Sequence, residues 1–177
     1  DLVQMDHTRG DVILVDSLKR EELGRPWITF LIEIWTRSII GYYVSFGDPS
    51  IFRCGRAVAS ALLPKEPVLK HLGVDVSYPM YGLFRRLHAD QAKPHRSEAF
   101  RRACVRNGID PDVRKPGPAH LGGHIERLIG TMVGKLRLLP GATGSNVSAR
   151  DGYDAQGEAA MTLAEFERWL LCQIAVY

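Results

Sequence analysis

The sequence predicts an α/β fold: a mixed sheet flanked by helices, with an antiparallel three-strand meander followed by two further strands. Three observations lead there. Period-two and β-branched runs dominate the first 46 residues, at 3–16, 27–34 and 39–46. From residue 51 onward, helix-period segments alternate with short apolar ones at 87–90 and 109–113. The resulting order, β-β-β-α-β-α-β-α with an appended helix, argues for helices layered on a sheet. At 177 residues, one domain with one core is expected.

The first segment alternates apolar and polar residues through Met5, breaks at Arg9-Gly10, and resumes at residues 11–16. This predicts one edge of a sheet, kinked at Gly10. Residues 17–26, with Gly24 and Pro26, predict a loop. The runs at 27–34 and 39–46, separated by Trp35-Thr36-Arg37-Ser38, predict a hairpin of long strands. Ser50 then caps a helix over 51–63 that buries Cys54, Val58, Ala61 and Leu62 and stops at Pro64. Residues 64–84 hold three prolines besides no convincing period, and predict a long loop.

Residues 87–90 form a short buried strand. A helix over 97–106 follows, with Ala99, Phe100, Ala103 and Cys104 toward the core and Asn107-Gly108 as its end. Residues 109–113 are a further strand. Gly122-Gly123 lead into a helix ending near Leu136, with the stripe Ile125, Leu128, Ile129, Met132, Val133 and Leu136. A polar, glycine-rich excursion spans 141–157. The capping box Thr162 to Glu165 opens a last helix that buries Leu163, Phe166, Leu170 and Ile174.

Composition narrows the function classes. An apolar fraction of 45% and a charged fraction of 24% suit a soluble globular protein. No apolar run approaches a membrane span and no signal peptide is evident, so a cytoplasmic location is expected. Asp1 is no natural start and Tyr177 falls inside a helix pattern, so a piece of a longer protein is expected. Cys54, Cys104 and Cys172 lack metal-ligand spacing and read as small buried hydrophobes in a reducing compartment. The net charge of +3 is unevenly spread: residues 85–137 carry 12 Lys/Arg against 5 Asp/Glu, residues 138–177 only 2 against 5. Charge gathered in this way suits a polyanionic partner.

Three acids stand out within that frame. Asp6 sits mid-strand in an apolar context that tolerates a carboxylate poorly unless something pairs with it. Asp90 ends a short strand, a common position for a site residue in an α/β sheet. Glu126 borders the apolar stripe of its helix and can point toward the sheet. Brought together at about 4 Å, each pair of carboxylates repels by about 4 kcal/mol at an effective dielectric near 20. Divalent cations would relieve this, and hard oxygen donors favour Mg²⁺ or Mn²⁺, with two ions once DNA is bound. The alternative, each acid simply paired with a neighbouring Arg, stays open. Asp11 and Asp16 read as solvated. Glu33 reads as a support for the site or as half of a salt bridge. His7, His88 and His124 lie close to the acids in sequence, where phosphate contact or orientation of a ligand suits them better than direct ligation. Gly122-Gly123, at a helix start, lets a nucleic-acid backbone approach.

Several stretches together resemble the catalytic core of the DDE transposase and retroviral-integrase superfamily, above all its bacterial TnsB-like and Mu-like branch. They are Gln4-Met5-Asp6-His7-Thr8, Gly24-Arg25-Pro26-Trp27, Ser38-Ile39-Ile40-Gly41-Tyr42-Tyr43, His88-Ala89-Asp90, Gly123-His124-Ile125-Glu126-Arg127 and Leu139-Pro140-Gly141-Ala142-Thr143. The resemblance implies an RNase H-like core over 1–137, with 138–177 a C-terminal extension. It implies a catalytic, metal-holding triad of Asp6, Asp90 and Glu126. DNA contacts are expected from Lys93, His95, Arg96, Gly123, His124 and Arg127. The implied activity is metal-dependent nicking at transposon ends, then transfer of the freed 3′-hydroxyl into target DNA. Implied partners are DNA, further copies in a transpososome, and ATPase or targeting proteins. The chain departs from the pattern at Glu33, where relatives often carry Asp, at Gln91-Ala92 in place of Asn-Gly, and at Gly122 in place of a basic residue. Two other readings remain: a nuclease on the same fold that only hydrolyses, and a catalytically silent nucleic-acid-binding or assembly module.

Overall fold

The alternation of the first segment becomes β1 (Leu2–Arg9), and it lies in the middle of the sheet rather than at an edge. The computed structural model describes residues 2–89, 97–113, 123–143 and 154–177. Within them, β4 (Trp27–Glu33), β5 (Ile39–Ser45), β6 (Arg86–Ala89) and β7 (Asp110–Val113) join β1 in a five-stranded sheet of order β5-β4-β1-β6-β7. The β1–β4 and β4–β5 pairs are antiparallel, and the β1–β6 and β6–β7 pairs parallel. This is the expected mixed, RNase H-like sheet, a meander extended by two further strands. β1 is central because both its neighbours bury it: Val3, Gln4 and Met5 are all inaccessible to solvent or nearly so.

Three expectations need correcting. The second half of the kinked segment does not continue the strand; Leu14–Val15 (β2) pairs with Glu22–Gly24 (β3) in a separate ribbon. Residues 17–26 are therefore no plain loop. The Asp16 carboxylate accepts N–H bonds from Leu18, Lys19 and Glu21 and folds the ribbon's tip, which propensity alone does not show. Nor are residues 64–84 all loop, since Pro67 stands in the first turn of a helix, α2 (Glu66–Leu72), ended by Gly73 at φ 63°.

The helices layer on both faces. α1 (Ile51–Leu62) starts at Ser50, whose side chain accepts the Arg53 N–H, and buries Cys54, Ala57, Val58 and Ala61. α3 (Glu98–Arg106), capped by Ser97, buries Phe100 and Cys104. Ala99 and Ala103, expected on the core side, are exposed. Small size does not assign an alanine to either face of a helix. These two helices share a core with Val3, Met5, Leu31 and Leu87. The opposite core joins Phe30, Ile32 and Tyr42 to α4 (Gly123–Leu136) and α5 (Leu163–Ala175). α5 opens with the expected capping box, and its Glu167 accepts the Tyr42 hydroxyl at 2.9 Å. The polar excursion at 141–157 lies mostly outside the described residues. Its start bridges Val12 to Ala142, with Thr143 N–H donating to Asp11 O.

Both outer strands have blunted edges. On β5 the Tyr42 N–H donates to Ser60 Oγ and the Ile39 carbonyl accepts the Tyr78 hydroxyl at 2.9 Å. On β7, Pro111 supplies no N–H.

Candidate active site

Period-two alternation divides the side chains of β1 between the two layers. Val3 and Met5 enter the core beneath α1 and α3, and His7 faces the same way. The His7 ring nitrogens lie 2.7 Å from Thr29 Oγ1 and 3.6 Å from Cys54 Sγ. Gln4 and Asp6 face the other layer, opposite Ile32 and Phe30 of β4. The His7 ring therefore lies on the opposite face of the strand from the Asp6 side chain.

Gln4 fixes where α4 begins. Its Oε1 accepts the Ile125 N–H at 3.2 Å, a buried hydrogen bond linking the central strand to the first turn of the helix. A free N–H in the first turn of a helix needs such an acceptor. The contact brings the Gln4–Asp6 face of β1 and the first turn of α4, which carries Glu126, into one region. Ile125 and Leu128 anchor the turn in the core, while Glu126 and Arg127 are exposed. Glu126 was expected to lean toward the sheet; the helix period places it one step outside the buried stripe. Asp6 is half-buried, and its Oδ1 accepts the His7 backbone N–H at 2.7 Å.

The strand that precedes Asp90 in sequence is equally well defined. β6 runs parallel to β1 in the register Gln4–His88 and Met5–Ala89. The ladder thus ends at the residues that precede Asp6 and Asp90 in sequence. Asp90, Lys93, His95 and Arg96 lie outside the described residues. Among the described residues no three His, Cys, Asp or Glu side chains gather as a metal-binding group. The donors the sequence offers for such a group are all carboxylate oxygens, which fit Mg²⁺ or Mn²⁺. His88 is buried, on the strand face shared by Gln4.

The neighbouring acids have other tasks. Glu33 caps the β4–β5 turn, accepting from Trp35 N–H, Thr36 N–H at 2.7 Å and Thr36 Oγ1 at 2.7 Å. Burial pushes its carboxyl upward, but those hydrogen bonds outweigh it and hold the group below the usual range. It sits opposite Val3, on the α1 side of the sheet. Asp11 pairs with Arg25 rather than standing solvated.

Cations gather at the start of α4. Arg37, in the β4–β5 turn, hydrogen-bonds His124 Nδ1. A guanidinium has no acceptor, so it donates and the imidazole nitrogen accepts. Burial, then the charges of Arg37 and Arg127, hold His124 below its ordinary value. Gly123 opens the helix with open space where a Cβ would stand. Sequence reasoning missed Gln4 and Arg37 as members of this region. For Gln4 a signal existed, a lone amide two residues before Asp6 on the same strand face. For Arg37 none did.

A mixed sheet of this order, with one acid in its central strand and another in the first turn of a helix laid across it, is the framework of the DDE transposase and integrase superfamily. Residues 4–141 match the family model described as the TnsB C-terminal domain, and the chain belongs to that family. It is 25% identical over 154 residues to the transposase for transposon Tn552 of Staphylococcus aureus, covering 86% of this chain and 30% of that protein. It is also 25% identical over 176 residues to the Tn7 transposition protein TnsB of Escherichia coli, covering 95% of this chain and 25% of that one. The chain thus spans less than a third of either relative. Among solved structures it is similar to the catalytic core domain of BIV integrase, at 15% identity and TM-score 0.49 over 96% of this chain and 78% of that one. A second is a simian T-cell lymphotropic virus intasome in complex with PP2A regulatory subunit B56 gamma, at 16% identity and TM-score 0.48, covering 77% of this chain and 40% of that one. No helix among the described residues is long and apolar enough to cross a membrane.

Proposed function

We propose that the chain is the catalytic core of a DNA transposase, cutting the strand at a transposon end and joining the freed 3′-hydroxyl to target DNA. The observation that supports it most is the Gln4–Ile125 hydrogen bond, which keeps the Asp6 face of β1 against the helix turn bearing Glu126. Asp6, Asp90 and Glu126 would hold divalent metal through carboxylate oxygens alone. Mg²⁺ or Mn²⁺, two ions with DNA bound, would supply activation of the attacking oxygen and stabilisation of the leaving one.

The chain's own residues then do the positioning. Gln4 sets the helix start relative to the strand. Arg127 and His124, with the open backbone at Gly123, face the phosphates, joined by Lys93, His95 and Arg96. In the first reaction water attacks the phosphorus and the 3′-oxygen leaves; in the second that 3′-hydroxyl attacks a target phosphodiester and displaces its 3′-oxygen. Assembly on paired DNA ends with further copies, and with ATPase or targeting proteins, is part of the same proposal; the relatives themselves are named as a transposase and a transposition protein.

The direct test is thermal unfolding with and without Mn²⁺, for wild type and for Asp6→Asn. Metal that binds only the folded site stabilises it by about 2.7 kcal/mol at 100 times its dissociation constant. Wild type should shift and Asp6→Asn should not. An equal shift in both removes Asp6 from the site and leaves the silent-module reading in force.

A further inference from the structure

Three tryptophans occur in the chain, and two are engaged: Trp27 Nε1 donates to Asp48 at 3.0 Å, and Trp169 stacks on Phe166. Trp35, at the tip of the β4–β5 turn, is 90% exposed. The turn that presents it is over-determined. Glu33 accepts three hydrogen bonds from Trp35 and Thr36, Glu33 N–H donates to the Ser38 carbonyl, and Ser38 N–H donates to Thr36 Oγ1. The next residue, Arg37, sits at φ 63°, the left-handed region where a Cβ crowds the following carbonyl and which non-glycine residues rarely adopt. That conformation sends its guanidinium to His124, so the turn is tied to the start of α4 and to the cation Arg127 beside it. A concavity of about 460 Å³, lined by Leu2, Glu33, Ile34, Trp35 and Arg37, opens alongside the indole.

A rigid turn that holds an aromatic face in water, beside a guanidinium and the helix start assigned above to phosphate, has the makings of a base-stacking platform. Aromatic faces stack on any base, and cations along the backbone path supply the rest of the affinity. We propose that Trp35 and Arg37 form a binding site for an unpaired nucleobase and its phosphate, adjoining the active site. The site extends the DNA-binding reading above and rests on it. It serves DNA that is frayed or single-stranded, because a base paired inside a duplex offers no free face.

The test measures binding of the 177-residue chain to three labelled DNAs of one length: single-stranded, forked and fully paired. Trp35→Ala should weaken binding to the single-stranded and forked DNAs by about 5- to 150-fold while changing duplex binding less than about twofold. Trp35→Phe should restore most of the loss. Quenching of tryptophan fluorescence by single-stranded DNA should vanish in Trp35→Ala and persist in Trp27→Phe. Melting curves identify any variant that has lost its fold. Unchanged affinities, or an equal loss on all three DNAs, would overturn the site. So would Trp35→Ala breaking self-association in sedimentation while leaving DNA binding intact, because the indole would then cover protein. The two readings fail separately. Selective stacking without metal-dependent strand cutting leaves this site and removes the transposase chemistry, and cutting without selectivity does the reverse.

Discussion

The helices on the two faces of the sheet differ: α1 meets its face through small side chains, whereas α4 and α5 meet theirs through large ones, with the polar Gln4 and His88 of the sheet beneath them. On the first, Cys54, Ala57 and Ala61 of α1 meet the strands so closely that a Cβ at Gly41 would stand 2.7 Å from the Ala61 Cβ. On the second, Phe30, Phe166, Met132 and Leu128 fill the layer, yet Gln4 and His88 are buried there and Asp6 reaches it. Small residues let a helix approach until no space remains. Among the large residues beneath α4, the Gln4 amide is bonded to the helix's first turn at Ile125. One helix lies close on its face; the other is joined to its face by a polar link.

The largest effect that could break this division is on activity. Asp6→Asn, Asp90→Asn and Glu126→Gln should each reduce strand cutting and joining to background, in an assay on labelled element ends with Mg²⁺. His7→Gln, one residue from Asp6 but on the other face, should retain activity. Loss in His7→Gln equal to that in Asp6→Asn would erase the distinction between the faces.

In stability, Phe30→Ala should cost about 3–5 kcal/mol by urea unfolding, because a fully buried ring leaves a cavity among other large groups. Gly41→Ala should cost about 1–3 kcal/mol by the opposite cause, overpacking against the Ala61 backbone. Gly130→Ala, in α4 with nothing within 4 Å of the added Cβ, should instead gain about 0.5–1 kcal/mol. Gln4→Leu should cost about 1–3 kcal/mol by stranding the Ile125 N–H, and should lower activity more than a uniformly destabilised control.

The smallest effect concerns pH. The Glu33 carboxyl is held below its usual value in the folded turn, so its contribution is present above the unfolded value of 4.5 and is lost as pH falls below it. Wild type should therefore lose stability faster than Glu33→Gln between pH 5 and about 3. Parallel curves would show that the turn does not depend on the charge.

Much of this was legible in the sequence where local and global demands agree. The capping box at Thr162, Ser50 as a cap, and the stripe Ile125, Leu128, Met132, Leu136 each have a mechanism that acts within one or two turns. The failures share a cause as well. β2 and β3 exist because Asp16 gathers three N–H groups, and α2 because Pro67 tolerates a first turn; neither leaves a hydrophobic period to read. That β1 is central depends on β6, whose paired residues lie 84 positions further along the chain, which only the tertiary register reveals. Of the site, the strand carrying Asp6 and the helix carrying Glu126 could be read from pattern. Gln4 as their link could not, because the partner of a lone amide is set by packing.

The blunted strand edges have a consequence for how copies of this chain can meet. An open sheet edge invites another chain to add a strand, the route to swapping and fibrous aggregation. Here Ser60 and Tyr78 occupy backbone groups of β5 that such a strand would need, and β7 offers Asp110, Pro111 and Asp112. Growth by backbone pairing is disfavoured at both ends. Assembly at these two edges would then rest on side chains, where a single substitution can tune it.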